Sequence, residues 1–369
     1  MQITYPYHSD LKNYLCPPGC GVFTVNTAGN RKQVLHQAIY GQTEAIDALW
    51  QETLQQLEQA KVVMLGVCSD NGGGILRGAN WGPLFLRLQL LQEVDVSRYL
   101  DIGDIRVIPH LLHDKYLNED TIRRCQKALF DQVEQGLAVS PLSITEAVCQ
   151  RLYECDPDKK IFAIGGDHSV SYPLVRTFLQ HKKAQGIQTA VIHFDAHTDL
   201  LTERLGIDLC FGSWCTHILN DLPHPSHLIQ LGIRASGQQQ SFWERKFGVT
   251  QYWAHTIAQK GAEYVAQEIC AALHKAGVQE LYVSFDIDAL DQSIASATGT
   301  PEPDGLDVNS CILILETLVK NFTITGADVV EIAPFTDSLE QGTVGQAKTL
   351  QAGSCITKTL LKALNMTDK

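Results

Sequence analysis

Short apolar runs alternate with helical segments from residue 160 onward, and this alternation limits the fold more than any other feature of the sequence. The runs are rich in β-branched residues, as buried strands are, and helical periodicity follows them. They begin near residues 160, 188, 227, 280 and 325. Strand–helix alternation of this kind predicts a parallel sheet with helices on both faces. We therefore expect an α/β protein.

The chain has 369 residues, which is enough for two domains. We find no linker, internal repeat or low-complexity tract in the sequence. We therefore predict one main domain over residues 61–369, preceded by an N-terminal arm and helix over residues 1–60. The apolar positions of residues 35–60 predict that this helix spans residues 35–60. A hydrophobic content of 44% and a charged content of 19% are typical of a soluble globular protein.

The net charge of −12 disfavours nucleic acid as a partner and offers no basic patch to a membrane surface. A small cationic substrate is compatible with it, although plain solubility explains most of the charge. No apolar run approaches the length of a membrane span, and the 11 cysteines are scattered, so we expect a cytoplasmic protein with free thiols. The pairs Cys16/Cys20 and Cys210/Cys215 offer a zinc site as the alternative, but their spacing is irregular.

A long glycine-rich loop follows the strand predicted at residues 61–68. Residues 69–83 contain five glycines, and the loop is too long for a plain turn. The loop does not match the dinucleotide-binding pattern GxGxxG. A substrate loop and a structural crossover both remain open.

Three metal-capable side chains follow the strand that begins near residue 188. Asp195, His197 and Asp199 occupy alternate positions, and alternate side chains of an extended backbone share one face. Read alone, this stretch is either a set of metal ligands or a polar turn after a strand.

Three further predicted strands also end in polar groups. These groups are His168, within residues 165–169, then Asp286 and Asp288, and finally Glu331. Ligands of an open parallel sheet bind beyond the carboxyl ends of its strands, where all of these groups are expected. Each one alone could be a turn, cap or ion-pair residue. Together, two histidines and four aspartates could hold two metal ions. Their oxygen-rich character favours a hard ion such as Mn²⁺ over structural Zn²⁺. The pattern indicates a binuclear metallohydrolase.

Five segments together resemble the ureohydrolase superfamily, which contains arginase, agmatinase and formiminoglutamase. They are GGDHS at 165–169, DAHTD at 195–199, SFDIDALD at 284–291, ATGTPEP at 297–303 and DVVEIAP at 328–334. The motifs follow the family's order and spacing, and the resemblance extends from about residue 60 to the end. The segments TGTPEP and DVVEIAP are closest to agmatinase-like members.

The resemblance implies a three-layer α/β/α fold with a mainly parallel sheet of about eight strands. It also implies two Mn²⁺ ions per subunit, with Ni²⁺ or another divalent ion as an alternative, and a homo-oligomer, either a trimer or a hexamer. Asp199 would also hydrogen-bond a metal-bridging hydroxide and help to move its proton. Glu331 would pair with the substrate's guanidinium or amidinium group. The implied metal ligands are His168, Asp195, His197, Asp199, Asp286 and Asp288.

One position departs from the family pattern. Arginases and agmatinases have a His followed by Gly shortly after the DAHxD motif, and here Phe211 precedes Gly212. Three explanations are open. Either His217 takes over the proton traffic, or the enzyme works without such a residue, or Phe211 and Trp214 form an apolar wall for an unusual substrate.

We expect an agmatinase-like hydrolase of a guanidino or amidino C–N bond in a small cationic substrate, with release of urea. Arginine is disfavoured because the segment that grips its amino acid end in arginases is missing. One alternative is a formiminoglutamase-like hydrolase that releases formamide. Another is a catalytically weak paralogue that serves as a binding or assembly subunit.

Overall fold

The computed structural model describes residues 11–22, 29–74, 76–91, 99–130, 136–336 and 342–366. Within these residues, nine strands form a single sheet in the order β1-β3-β2-β4-β9-β8-β5-β6-β7. Every pair of neighbours is parallel except β1 and β3, which are antiparallel. The strands are β1 (Leu15–Cys16), β2 (Val62–Gly66), β3 (Leu100–Ile105), β4 (Lys160–Ile164), β5 (Thr189–Phe194), β6 (Leu228–Leu231), β7 (Thr250–Tyr252), β8 (Glu280–Asp286) and β9 (Thr323–Val330).

Helices connect the strands and cover both faces of the sheet. A short 3₁₀ turn at 168–170 is separated from the end of β4 by three residues, and another at 287–289 directly follows β8. The α-helices are α1 (Gly29–Tyr40), α2 (Ile46–Leu54), α3 (Gly82–Leu90), α4 (Glu119–Phe130), α5 (Pro141–Cys155), α6 (Ser171–Ala184), α7 (Trp214–Ile218), α8 (Gln240–Phe247), α9 (Ala254–Lys260), α10 (Ala262–Lys275), α11 (Val308–Asn321) and α12 (Gly342–Leu364).

The strands alternate between two hydrophobic cores, one on each face of the sheet. On β5, Ile192 and Phe194 belong to the core that contains residues of α3, α10, α11 and α12. Val191, between them in the chain, belongs to the core that contains residues of α5, α6 and α7. Because successive side chains of a strand point to opposite faces, a fully apolar strand fits between two helical layers. The predicted three-layer α/β/α fold with a mainly parallel sheet is confirmed.

The first sixty residues contribute to the sheet and its cover. Leu15 and Cys16 of β1 pair with β3, and Leu35 of α1 is buried in the same core as α3. The single helix expected over residues 35–60 is wrong, because α1 ends at Tyr40 and α2 begins at Ile46. The division into an arm of residues 1–60 and a domain of residues 61–369 stays a prediction.

All eleven cysteines are free thiols. Within the described parts of the chain, no helix combines the length and the apolar character needed to cross a membrane.

Candidate metal centre

The four strand ends that carry the predicted site residues are neighbours in the sheet. Strands β4, β9, β8 and β5 lie side by side in that order. These strands are far apart in sequence, but because they are parallel, their carboxyl ends lie at the same edge of the sheet. The structure therefore places His168, Glu331, Asp286 and Asp195 at the same edge, together with the residues that follow them.

His168 is surrounded by three carboxylates. Its Nδ1 atom lies 3.0 Å from Oδ2 of Asp195, 3.2 Å from Oδ2 of Asp199 and 3.0 Å from Oδ2 of Asp286. The Nδ1 atom is buried and has no hydrogen bond of acceptable geometry. A cation between this nitrogen and the three oxygens would satisfy all of them, so the donor set fits a metal ion.

The other nitrogen of His168 fixes the orientation of the ring. Nε2 lies 3.0 Å from Oγ of Ser284, and that hydroxyl donates to Oδ1 of Asp328 at 2.8 Å. Because the serine proton is directed to the carboxylate, we assign the proton of a neutral His168 to Nε2. The Nδ1 lone pair then faces the carboxylates, as a metal ligand requires.

A second group shares Asp195 with the first. Nδ1 of His197 lies 3.1 Å from Oδ2 of Asp288 and 3.3 Å from Oδ1 of Asp195. The two oxygens of Asp195 therefore face different histidines, Oδ2 facing His168 and Oδ1 facing His197. His197 is 26% exposed, whereas the other members of both groups are buried. The arrangement fits two ions with Asp195 between them.

Backbone amides and hydroxyls hold the carboxylates in place. Oδ1 of Asp195 accepts from the amide of His197 at 2.6 Å, and Oδ1 of Asp286 accepts from the amide of Asp288 at 2.8 Å. Asp288 itself accepts from the amide of Ala196 at 3.0 Å and from Oγ1 of Thr300 at 2.9 Å. Pre-oriented carboxylates of this kind require little rearrangement when a ligand binds.

His193 is a site residue that the sequence reasoning missed. Its Nε2 atom lies 2.8 Å from Oδ2 of Asp195, and the side-chain amide of Gln230 donates to its Nδ1 at 2.9 Å. Nε2 must therefore carry the proton and donate to Asp195, so His193 orients this carboxylate. The signal was present in the sequence, because His193 continues the alternation of residues 195, 197 and 199 by one more step.

The pKa values of the buried acids reflect the crowding of negative charge. Burial and the charge of Asp195 raise the pKa of Asp199 well above its usual range, and burial and the charge of Asp288 do the same to the pKa of Asp286. Burial also tends to raise the pKa of Asp195, but the neighbouring His168, His193 and His197 hold it well below its usual range. The six proposed ligands include four carboxylates, and two divalent ions would balance their charge.

Glu331 lies beside this group rather than within it. It is 4% exposed, and its Oε1 accepts from the amide of His168 at 2.8 Å. Its backbone has a φ of 62°, a strained conformation of the kind found at functional sites. A Cβ atom at Gly299 would lie 3.4 Å from Oε2, so Gly299 borders that oxygen. Burial and the charges of Asp286, Asp167 and Asp70 raise the pKa of Glu331 well above its usual range.

Asp70 and Asp167 organise the glycine-rich loop, although no sequence motif marks either residue for this role. Oδ2 of Asp70 accepts from the amides of Gly78 and Ala79 at 2.5 and 3.1 Å. Oδ2 of Asp167 accepts from the amide of Gly72 at 3.2 Å. The loop is thus attached to the segment that carries His168, which supports a substrate-side position for it.

Phe211 packs against the same loop. Its amide donates to the carbonyl of Gly72 at 2.9 Å, and a Cβ atom at Gly74 would lie 3.2 Å from the tip of its ring. The guanidinium of Arg204 lies 5.0 Å from the ring centroid. Nε2 of His217 lies 2.9 Å from the carbonyl oxygen of Asp208, so a backbone contact occupies this nitrogen.

The family assignment rests on a comparison of the sequence with known families. The sequence model of the arginase family matches residues 60–355 of this chain. The chain belongs to the arginase family. This membership confirms the resemblance that the five sequence motifs indicate.

Individual relatives of this arginase-family protein are named for related reactions. N(1)-aminopropylagmatine ureohydrolase of Thermus thermophilus is 37% identical over 177 residues, 48% of this chain and 56% of that protein. The agmatinase of Chromobacterium violaceum is 34% identical over 293 residues, 78% of this chain and 80% of that protein. The match to the Thermus protein therefore spans little more than half of its length. These names support the prediction of a hydrolase that acts on C–N bonds.

A solved structure shows the same fold. Proclavaminate amidino hydrolase from Streptomyces clavuligerus superposes with a TM-score of 0.62 at 23% identity, covering 82% of this chain and 93% of that chain. At this level of identity the likeness shows the fold alone. It agrees with the three-layer architecture described above.

Proposed function

We propose that this arginase-family protein is a binuclear metal-dependent hydrolase that cleaves a guanidino or amidino C–N bond in a small cationic substrate and releases urea. Mn²⁺ is the proposed metal, with Ni²⁺ or another divalent ion as the alternative. Two relatives are named for agmatine and N(1)-aminopropylagmatine, and we propose a substrate of that class. The proposed metal ligands are His168, Asp195, His197, Asp199, Asp286 and Asp288.

The observation that carries this proposal is the shared position of Asp195. Its two oxygens lie 3.0 and 3.3 Å from Nδ1 of His168 and of His197. Potential ligand atoms of His168, His193, Asp195 and Asp199 lie within 4.8 Å of one another, and so do those of Asp195, His197 and Asp288. A single carboxylate that serves two neighbouring groups supports a metal pair rather than one isolated ion.

The charges around Glu331 support a cationic substrate. The side chains that most influence Glu331 are carboxylates, those of Asp286, Asp167 and Asp70. The guanidinium of the nearby Arg77 is hydrogen-bonded to the carbonyl of Asp70. Glu331 would bind a planar guanidinium through charge-assisted hydrogen bonds and orient its carbon toward the ligand cluster. The binding of a cation would in turn favour the ionised form of Glu331.

When bound, the metal pair would supply an activated water for attack on the guanidinium carbon, which is a poor electrophile because its charge is delocalised. The departing amine needs a proton. Phe211 cannot deliver one, so we assign the transfer to the carboxylate of Asp199, which faces His168 at 3.2 Å. The burial of Asp199 and its neighbours keeps bulk water away from this transfer.

The test begins with purified protein loaded with Mn²⁺, and with Ni²⁺ in parallel. Agmatine, N(1)-aminopropylagmatine, guanidinobutyrate, guanidinopropionate, guanidine, arginine and formiminoglutamate are assayed for urea, formamide and ammonia. Urea from a cationic guanidino compound, with little from arginine, is the expected result. Inactivity on the whole panel with two bound ions confirmed would refute the proposed reaction.

A matched pair of variants tests the location of the site. Asp286→Asn should lose one metal ion and the activity while the sheet stays folded, because Asp286 faces Nδ1 of His168. Asp158→Asn removes an exposed carboxylate outside the proposed site and should change neither metal binding nor activity. Activity that survives in Asp286→Asn would mean that the site is misplaced.

The position of Phe211 is the reason to test two alternative functions, a formiminoglutamase-like hydrolase and a catalytically weak paralogue. Phe211 packs on the glycine-rich loop where arginases and agmatinases would have a proton-carrying His. Formamide released from formiminoglutamate would identify the formiminoglutamase-like alternative. Bound metal without any product would instead favour a weak paralogue that acts as a binding or assembly subunit. Trimeric or hexameric assembly, which light scattering would measure, and a cytoplasmic location also remain predictions from the sequence.

A further inference from the structure

The segment in which this chain departs from its family reaches the metal centre through Trp214. Trp214 is the first residue of α7 and is fully buried. Its indole Nε1 donates a hydrogen bond of 2.8 Å to Oδ2 of Asp199. Phe211, three residues earlier, contacts the glycine-rich loop instead. This segment therefore contacts both Asp199 and the glycine-rich loop.

The ring of Trp214 also covers one side of the ligand cluster. Its centroid lies 5.0 Å from that of His168 and 5.2 Å from that of His193, in a tilted and an edge-on arrangement. A single side chain thus contacts one proposed ligand by hydrogen bond, packs on a second, and packs on the residue that orients Asp195.

The backbone of Asp199 has an uncommon conformation. Its φ is 50°, in the left-handed region that residues other than glycine seldom adopt. Strained backbone persists only where surrounding contacts fix it. The indole N–H is a donor and cannot accept a proton, so it can hold a carboxylate in one orientation but cannot take part in proton transfer.

We infer that Trp214 is a positioning residue that fixes Asp199 for metal binding in this chain. The inference rests on the proposed metal-dependent function and deepens it. Residues that orient metal ligands through hydrogen bonds typically change metal affinity roughly 10- to 100-fold when they are replaced. We expect the loss of the indole donor to have an effect of this size on the ion that Asp199 binds.

The chain offers a matched control in Trp50. This residue is also buried, and its Nε1 donates to the carbonyl of Ile102 at 3.0 Å. Ile102 lies on β3, near the far edge of the sheet from β5. Trp214→Phe and Trp50→Phe each remove one buried indole donor and keep an aromatic ring. A purely structural role predicts similar losses of stability and unchanged metal affinity in both variants.

The experiment measures Mn²⁺ binding by equilibrium dialysis and thermal stability by calorimetry for the wild type and both variants. Trp214→Phe should bind one of the two ions roughly 10- to 100-fold more weakly, whereas Trp50→Phe should bind both as the wild type does. The electron paramagnetic resonance signal of coupled Mn²⁺ ions should decline at the same metal concentration only in Trp214→Phe. Unchanged affinity for both ions in Trp214→Phe would overturn the inference.

Two further outcomes are distinguishable. A wild type that does not bind two ions would refute the proposed function itself, whatever Trp214 does. If Trp214→Phe fails to fold, the intact protein can be labelled with ¹⁵N-tryptophan, and its five indole signals can be assigned by replacing the other four residues one at a time. Saturation with diamagnetic Zn²⁺ should then shift the indole signal of Trp214 and leave that of Trp50 unchanged, and an unshifted Trp214 signal would overturn the inference.

Discussion

Replacement of Asp195 by asparagine should weaken both halves of the proposed metal centre at once. Oδ2 of Asp195 lies 3.0 Å from Nδ1 of His168, and Oδ1 lies 3.3 Å from Nδ1 of His197. Asp286 contacts the first of these histidines and Asp288 the second. Asp195 therefore belongs to both groups, and its replacement should lower the affinity for two ions rather than one.

The size of the effect follows from the charge that is removed. Asparagine keeps the shape of the side chain but is neutral. Two unit charges about 4 Å apart interact with about 4 kcal/mol at an effective dielectric constant of 20. A loss of about 100-fold in affinity for each ion, equivalent to about 2.7 kcal/mol, is therefore a conservative expectation. An amide group in place of Oδ2 would also face the N–H of His193, which now donates to that oxygen at 2.8 Å.

Equilibrium dialysis with Mn²⁺, followed by metal analysis of the protein, measures this effect. Asp286→Asn and Asp288→Asn serve as controls of the same chemistry, and each should mainly weaken one ion. Circular dichroism establishes that the three variants are folded. If Asp195→Asn retained one ion at wild-type affinity, Asp195 would not be shared and the reasoning for a metal pair would fail.

Three other variants test separate parts of the molecule. Arg87→Ala should lower the free energy of unfolding by about 3–5 kcal/mol, because it leaves the buried carboxylate of Asp104 and the largely covered carboxylate of Asp101 without a counter-charge. Arg123→Ala breaks an exposed pair and should cost at most about 1 kcal/mol. Equal effects of the two variants in urea unfolding would contradict this reasoning. Glu331→Gln should reduce turnover of a guanidino substrate while both ions stay bound, so loss of metal in this variant would place Glu331 among the ligands instead. Burial and the charge of Asp70 raise the pKa of Asp167 to about 7, whereas an unfolded aspartate titrates near pH 4. Between these values the folded state holds a proton that the unfolded chain has released, so the metal-free protein should lose stability as the pH rises from about 4 to 7, and the corresponding slope in urea unfolding should be smaller in Asp167→Asn.

The predicted metal ligands come from a pattern that is local in sequence. Alternate positions after a strand share a face whatever the rest of the chain does, and this was enough to select Asp195 and its neighbours. The same alternation also extends backward, to His193 on β5 and to Ser284 on β8. Both touch a proposed ligand in the structure. A complete reading of the alternation would have found these two residues as well.

Other parts of the site could not be read from local patterns. Gln230, on β6, donates to His193, and Trp214, on α7, donates to Asp199. These contacts depend on how β6 pairs with β5 and on how α7 packs against the sheet. The sequence named Trp214 only as a possible apolar wall, because the direction of an indole N–H depends on tertiary packing.

Errors in the predicted helices have a similar cause. The sequence suggested one helix over residues 35–60, but the chain leaves the helical conformation between Tyr40 and Ile46. Gly41 has a φ of 74°, which is a common helix ending, and Ala45 has a φ of 52°, which alanine seldom adopts. The glycine is a readable signal, whereas an alanine gives no sign in the sequence of a positive φ.

The register of β5 links the fold to the chemistry. Asp195 follows directly on Phe194, so the face to which its side chain points is set by the pairing of the whole strand. A slip of one residue would turn every alternate side chain to the opposite face. β5 pairs in parallel with β8 over six residues and with β6 over four, and its apolar side chains are divided between two separate cores. Any slip would therefore break the hydrogen bonds to both neighbouring strands and exchange apolar residues between the two cores. For this reason a central strand can fix the direction of the metal-ligand side chains that follow it. The two-residue edge strand β1 could not do so.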